Sequence, residues 1–288
     1  LYPSGFNEES CISRYESLLY HSWKLDKASP YLISKLRSYE ARHKRCVELY
    51  NTTVLSLSDC KYIVWISSAG LGNKMMTISS TFLYALLTDR VMLVDRGNVN
   101  DISELFCEPF PGTSWYLRLD FPLIRKFGYF KEDSPDSFGN LLKQHPNSDL
   151  PFRRNYVYLH MNHDFTDNDQ LFFCDQHQAY LRNTPWLFIK SNAYFIPSLF
   201  SISSFEQELN QLFPDKEIVF HLLGRYLFHP TNEVWALVSR YYDAYLSKAD
   251  VRVGIHIRIT RRQRVVKSQV LDQILSCSIN EGIFFQLH

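Results

Sequence analysis

Tyr62-Ile63-Val64-Trp65-Ile66 is an apolar run that passes into Ser67-Ser68-Ala69-Gly70-Leu71-Gly72-Asn73-Lys74; apolar residues then recur at helical spacing from Lys74 to Thr88, and Arg90-Val91-Met92-Leu93-Val94-Asp95 opens a second run. A continuous apolar run suits a strand buried on both faces, so the stretch predicts strand, glycine turn, amphipathic helix and parallel strand, one βαβ unit. A glycine turn at a strand's carboxyl end lets the backbone approach a ligand, and the helix that follows presents unpaired N–H groups. Gly70, Gly72, Asn73 and Lys74 are therefore candidate site residues, with a plain tight turn as the open alternative. A dinucleotide fingerprint would place a third glycine where Met75 stands, and no Gly-Lys-Ser/Thr follows, so a dehydrogenase with Asp95 on an adenosine ribose is disfavoured.

Working outward, Leu1 to Asp59 is charged and helical in pattern, with Leu32, Leu36, Tyr39 and His43 spaced three and four apart between Tyr31 and Tyr50. Prolines at 109, 111, 122, 135 and 146 predict irregular structure with short helices between Asn98 and Asn155. Strands are expected at Tyr156–His160 and Trp186–Lys190. Ser203-Ser204-Phe205-Glu206 reads as a capping box opening a helix that ends near Pro214. Helices over Glu217–Phe228 and Asn232–Lys248, a strand over Val251–Ile259 and a helix from about Val265 to Cys277 complete the order, which predicts α/β layers around parallel strands. The expected division is a helical entry segment over 1–60, an α/β domain over 61–249, and the beginning of a second domain over 250–288.

The 31 basic and 30 acidic residues leave a net charge of +1, so no field of one sign points to nucleic acid or an anionic membrane. Aromatic residues make up 15% of the chain, and their flat faces serve a core first but also suit sugar rings. The cysteines (Cys11, Cys46, Cys60, Cys107, Cys174, Cys277) form no CxxC pair, which excludes a zinc ribbon or thioredoxin motif, while their even number permits disulfides. Asn51-Thr52-Thr53 is an N-glycosylation acceptor and suggests a secretory setting. Apolar runs such as Thr81–Leu87 fall far short of the ~18 to 20 residues that span a bilayer, so any anchor is expected outside the chain.

Two further clusters could carry chemistry. In Gly254-Ile255-His256-Ile257-Arg258, alternation puts His256 and Arg258 on one strand face, where a guanidinium could grip a diphosphate; an ion pair with a neighbouring carboxylate is the alternative. His160, His163, Asp164, Asp167, Asp169, Cys174 and His177 superficially offer metal ligands. His160 and His163 would face opposite ways in a strand, however, and no pair has zinc-site spacing. A loop whose aspartates accept from turn N–H groups is the better reading, with no metal expected.

The segments Gly70-Leu71-Gly72-Asn73-Lys74, Thr81–Arg90, Leu105-Phe106-Cys107-Glu108-Pro109-Phe110-Pro111, Lys35–Glu40, Gly224–Asn232 and Arg240-Tyr241-Tyr242 resemble the plant xyloglucan fucosyltransferase family, glycosyltransferase family 37, from about Gly5 to Cys277. The resemblance implies a GT-B-like α/β fold of two Rossmann-type domains, GDP-fucose as donor, inversion at the fucose anomeric carbon, and no cofactor or metal. It implies a galactose acceptor, usually on xyloglucan, with relatives acting on arabinogalactan or other galactosides, and no nucleic-acid partner. It implies Golgi residence as a type II membrane protein, where thiols can oxidise, and leaves a homo-oligomer open. Arg258, with His256 beside it, matches the family's arginine for the donor diphosphate; Gly72 to Lys74 match its active-site loop; Asn192 and Tyr194 fall on the acceptor side. Lys74 stands where the family commonly has Arg, which keeps the charge and loses the fork. Asn192-Ala193-Tyr194-Phe195 replaces Asp-Asn-Tyr-Phe, removing an acidic group. The family continues well beyond the Arg258 strand, so a catalytically silent relative that binds a glycan or partner is the alternative.

Overall fold

The computed structural model describes residues 1, 3–20, 28–52, 60–97, 101–144, 154–250, 252–257 and 267–282. Two compact units result, Leu1–Ala236 and Leu237–His288. The helices are α1 (Ser13–Glu16), α2 (Pro30–Thr52), α3 (Leu71–Leu87), α4 (Phe138–Gln144), α5 (Asp167–Gln170), α6 (Asp175–Asn183), α7 (Ile196–Leu199), α8 (Ser203–Leu212), α9 (Val219–Leu227), α10 (Asn232–Tyr241) and α11 (Lys267–Asn280). The strands are β1 (Tyr62–Trp65), β2 (Val91–Val94), β3 (Tyr156–Met161) and β4 (Trp186–Ser191).

The four strands form one parallel sheet in the order β2-β1-β4-β3, with Tyr62 opposite both Val91 and Trp186 and Tyr156 also opposite Trp186. Alternation along each strand divides the core in two. Ile63, Trp65, Met92, Val94, Val157, Leu159, Leu187 and Ile189 join the larger cluster with Leu32, Leu36 and Tyr39 of α2 and the apolar stripes of α3, α8 and α9. Tyr62, Val64, Val91, Leu93, Tyr158, Trp186 and Phe188 face a second cluster with Tyr50, Phe121, Phe127 and Phe130. There Tyr62 stacks on Trp186 at 4.3 Å and Phe130 on Tyr158 at 4.4 Å. Both sheet faces are thus covered, the burial that continuous apolar runs such as 62–66 require, with each fully buried large side chain worth ~1.5 to 3 kcal/mol.

At the opposite end from the glycine turn, buried Arg90 donates to four backbone carbonyls, those of Tyr62, Leu181, Thr184 and Pro185, and so gathers the entries of β1 and β4. Burial lowers its pKa to about 10, which leaves it charged at neutral pH.

The structure corrects two expectations. α8 is preceded by Ile202 with no side-chain cap, whereas a capping box forms at Thr166 and Asp169, which exchange side-chain bonds with each other's backbone N–H. Residues 252–257 belong to no strand. A parallel strand exists only within a ladder, and the sheet of the described residues consists of β1 to β4 alone. Val253, Ile255 and Ile257 are accordingly 43%, 50% and 53% exposed. No helix of the described residues is long and apolar enough to cross a membrane.

Candidate functional site

In the order β2-β1-β4-β3, the chain leaves β1 through α3 towards β2 on one side, while β3 and β4 lie on the other. The carboxyl ends of β1 and β4 therefore lie side by side, and α/β sheets bind ligands in the crevice outside their strands' carboxyl ends. The segments following β1, β4 and β3 meet there through polar side chains. Asn73 Nδ2 donates to the Asn192 carbonyl at 2.7 Å, Asn192 Nδ2 lies 2.8 Å from His163 Nδ1, and Ser68 Oγ donates to the Ser191 carbonyl at 3.0 Å. Ser191 Oγ in turn donates to the Met161 carbonyl at 3.0 Å, tying β4 to β3 at the same end.

Gly70 precedes α3 in an extended conformation without a side-chain cap, and the first helical bond runs from Lys74 N to Gly70 O. A Cβ at Gly70 or Gly72 would meet nothing within 4 Å, and both glycines are exposed, so the turn is open to a ligand. Ala69 just before it adopts a φ of 62°, a left-handed conformation that costs a β-carbon-bearing residue of order 1 kcal/mol. Lys74 is buried one turn into the helix. Across from it, the Asp95 carboxylate after β2 accepts from Ser67 N at 3.4 Å and Gly97 N at 3.3 Å. Burial raises the Asp95 pKa, while those N–H groups and the positive charge of Lys74 oppose the rise. The fold thus brings Gly70, Gly72, Asn73 and Lys74 together with Asn192.

Tyr194 lies two residues beyond Asn192, half-buried, with its ring edge-to-face with Phe220 at 5.8 Å. Burial, followed by the nearby Glu217 charge, raises its phenol pKa. His256 is exposed and sits in the second unit. Arg258 lies outside the described residues, as does the side chain of Asn51, whose backbone lies in the last turn of α2.

Among the histidine-aspartate residues, His160 is buried between the Tyr158 hydroxyl at 2.7 Å and Asp164 at 2.9 Å. Burial pushes Asp164 up, but the His160 bond and the neighbouring charges outweigh it and hold the carboxyl below its ordinary value. Asp169 accepts from the Thr166 N–H at 2.9 Å, the turn-satisfying role expected of these aspartates. His177 instead is buried against Phe138 of α4. One ligand atom each from His160, Asp164 and Glu132 lies within 4.8 Å of the others; Glu132 comes from a turn far upstream, beyond the reach of local spacing. Sequence reasoning missed Ser68, Ser191 and His163 as crevice residues. Their only local signal is a polar residue soon after a strand, which most strands share.

Fold and site together define a Rossmann-type α/β unit with an open glycine turn at the carboxyl end of its first strand. A family model described as xyloglucan fucosyltransferase matches residues 1–287, and the chain belongs to that family. It is 53% identical to a galactoside 2-alpha-L-fucosyltransferase of Pisum sativum and 49% identical to one of Arabidopsis thaliana, each match covering 98% of this chain and 52% of the relative. The chain therefore spans about half the length of those curated relatives. Among solved structures, a mutant of Arabidopsis thaliana FUT1 in complex with GDP is 47% identical with a TM-score of 0.86, over 98% of this chain and 65% of that one.

Proposed function

We propose that this chain is the acceptor-side part of an inverting, metal-independent fucosyltransferase that moves L-fucose from GDP-fucose to a galactose of a xyloglucan-like wall polysaccharide in the Golgi lumen. The observation that carries the reading is the open Gly70–Gly72 turn at the carboxyl end of β1, joined through Asn73 to the segment after β4, in a chain whose residues 1–287 match the family. In the reaction, the bond from the fucose anomeric carbon to the diphosphate breaks, a bond to a galactose hydroxyl oxygen forms, and that hydroxyl loses its proton. Negative charge builds on the departing GDP, and a guanidinium stabilises it best when fixed beforehand. Arg258 is assigned that role, His256 lies beside it, and residues from 250 onward open the donor-binding domain. The half-exposed Asn192 and Tyr194 face the acceptor.

The test uses the chain extended to the length of its relatives, with GDP-fucose, a galactosylated xyloglucan oligosaccharide and calorimetric titration of GDP. Fucosylated product is expected, with Arg258→Ala weakening GDP by ~1.5 to 3 kcal/mol, roughly ten- to hundredfold. Arg258→Lys recovers part of this, since a point charge lacks the fork. Equal GDP affinities in all three proteins overturn the Arg258 assignment; oligosaccharide binding without any transfer favours the silent glycan-binding relative.

A further inference from the structure

A cavity of about 520 Å³ lies beside Tyr194, between α3, α7 and the start of α9. Met76 reaches it from α3, one turn beyond Asn73 and on the same helix face, and Tyr194 enters it two residues after the Asn192 carbonyl that Asn73 holds. Ile196, Pro197 and Phe200 line it from α7 and just beyond, and Lys216, Glu217 and Phe220 from the start of α9 and the turn before it. Tyr194, Phe200 and Phe220 are each only partly buried, although rings of this size bury readily. The 88° angle between Tyr194 and Phe220 sets two ring planes at a corner. Lys216 Nζ lies 4.9 Å from the Phe200 ring centre, and Glu217 is exposed on the same rim.

We propose that this cavity seats a non-reacting sugar of the acceptor, a neutral pyranose of the polysaccharide chain next to the galactose that receives fucose. The proposal rests on the galactoside-acceptor reading above and adds the subsite. A pyranose has one face of C–H groups, which suit the electron-rich faces of aromatic rings, and a rim of hydroxyls that both donate and accept. The lining offers both kinds of group: aromatic rings with Met76, Ile196 and Pro197, and a cationic donor, Lys216, next to an anionic acceptor, Glu217. A phosphate-bearing ligand would meet the Glu217 carboxylate, and a purely apolar one would leave both charges without gain. The position adds direction, because Tyr194 follows Asn192 by two residues and Met76 lies one turn from Asn73, so the cavity adjoins the residues assigned to the acceptor.

The test titrates a galactosylated xyloglucan oligosaccharide into the 288-residue chain by calorimetry and saturation-transfer NMR, with GDP and a soluble anionic glycan as comparison ligands. Binding of the oligosaccharide is expected, with Phe220→Ala and Phe220→Leu each weakening it about tenfold and Phe220→Tyr retaining it; the leucine keeps apolar volume and isolates loss of the ring face from loss of folding. In the extended chain the same two variants raise KM for the oligosaccharide by a similar factor, while GDP affinity stays within twofold. An oligosaccharide KM unchanged in Phe220→Leu, with transfer intact, overturns the subsite and leaves the fucosyltransferase reading standing. Absence of transfer by the wild-type extended chain overturns that reading, and Phe220-dependent binding of the oligosaccharide then still supports the cavity. Binding of the anionic glycan alone overturns the proposal.

Discussion

His43 and His229 are buried, and burial pushes the pKa of each down to about 3, so both are neutral in the folded protein well below the range where an exposed imidazole takes up a proton. The unfolded chain binds those protons near pH 6.5, so each residue contributes stability that is full above that pH and is lost as pH falls towards 3. Two such groups give a loss of up to ~1.4 kcal/mol per pH unit each. Asp95 and Glu108, whose carboxyl pKa values burial raises, have the opposite sign and lessen the loss in the acid range. The expected result is a Tm that falls steadily from pH 7 to pH 5, followed by circular dichroism; a Tm that rises over that interval contradicts the buried neutral histidines. His43 was legible as a core position from its spacing with Leu32, Leu36 and Tyr39. The role of His163 in the crevice was not, because its contact with Asn192 joins residues 29 apart in sequence.

α4 and α5 meet at a point where glycine is required by space rather than by backbone angle. A Cβ on Gly139 would lie 2.5 Å from Asp169 Oδ1 and 2.8 Å from its backbone nitrogen, and Asp169 is buried and held by its capping bonds to Thr166. Neither atom can swing away as the end of a flexible side chain would. Gly139→Ala is expected to cost ~1 to 3 kcal/mol and lower Tm by several degrees in a scanning calorimeter. An unchanged Tm would mean that α4 shifts freely. Nothing in the sequence pattern around Gly139 announces this contact, since the partner lies 30 residues on. Elements with their own periodicity were legible: the 62–66 and 90–95 runs, the helix between them, and the helix over Tyr31–Tyr50 lie within one to three residues of the strands and helices observed. The run 251–259 has a strand's pattern too, but a pattern of period two describes what a strand can bury and supplies no ladder to join. The Ser203 box failed for a related reason: Ser203 already lies inside α8, so its side chain is one position late to cap it.

At the scale of the first unit, three distant segments are bound at one place. Ser13 Oγ donates to the Pro230 carbonyl at 2.7 Å, Cys107 N to the His229 carbonyl at 2.8 Å, and Thr231 N to the Leu105 carbonyl at 3.0 Å, while Asn232 bonds both Ile12 N and Glu9 O. The disulfide Cys11–Cys107 fastens this junction across 96 residues, whereas Cys46–Cys60 spans 14 at the end of α2. The even cysteine count permitted disulfides, but pairing depends on distance in space, which the sequence does not carry; Cys174 and Cys277 are the free thiols. If cross-links act mainly by restricting the unfolded chain, loops of these lengths are worth ~4.7 and ~3 kcal/mol respectively. The double variant Cys11→Ser/Cys107→Ser should therefore lose more stability than Cys46→Ser/Cys60→Ser, measured as urea midpoints on protein from an oxidising host. The long bridge also holds the segment around Arg14, which stacks on Phe6 and donates to the Glu108 carbonyl at 2.9 Å, so its loss loosens those contacts as well. Alkylation without reduction should label Cys174 and Cys277 alone, the exposed Cys277 first. The reverse order of midpoints would show that the short bridge, beside the packed Tyr50 and Tyr62 rings, stabilises the native state through contacts that loop length does not count.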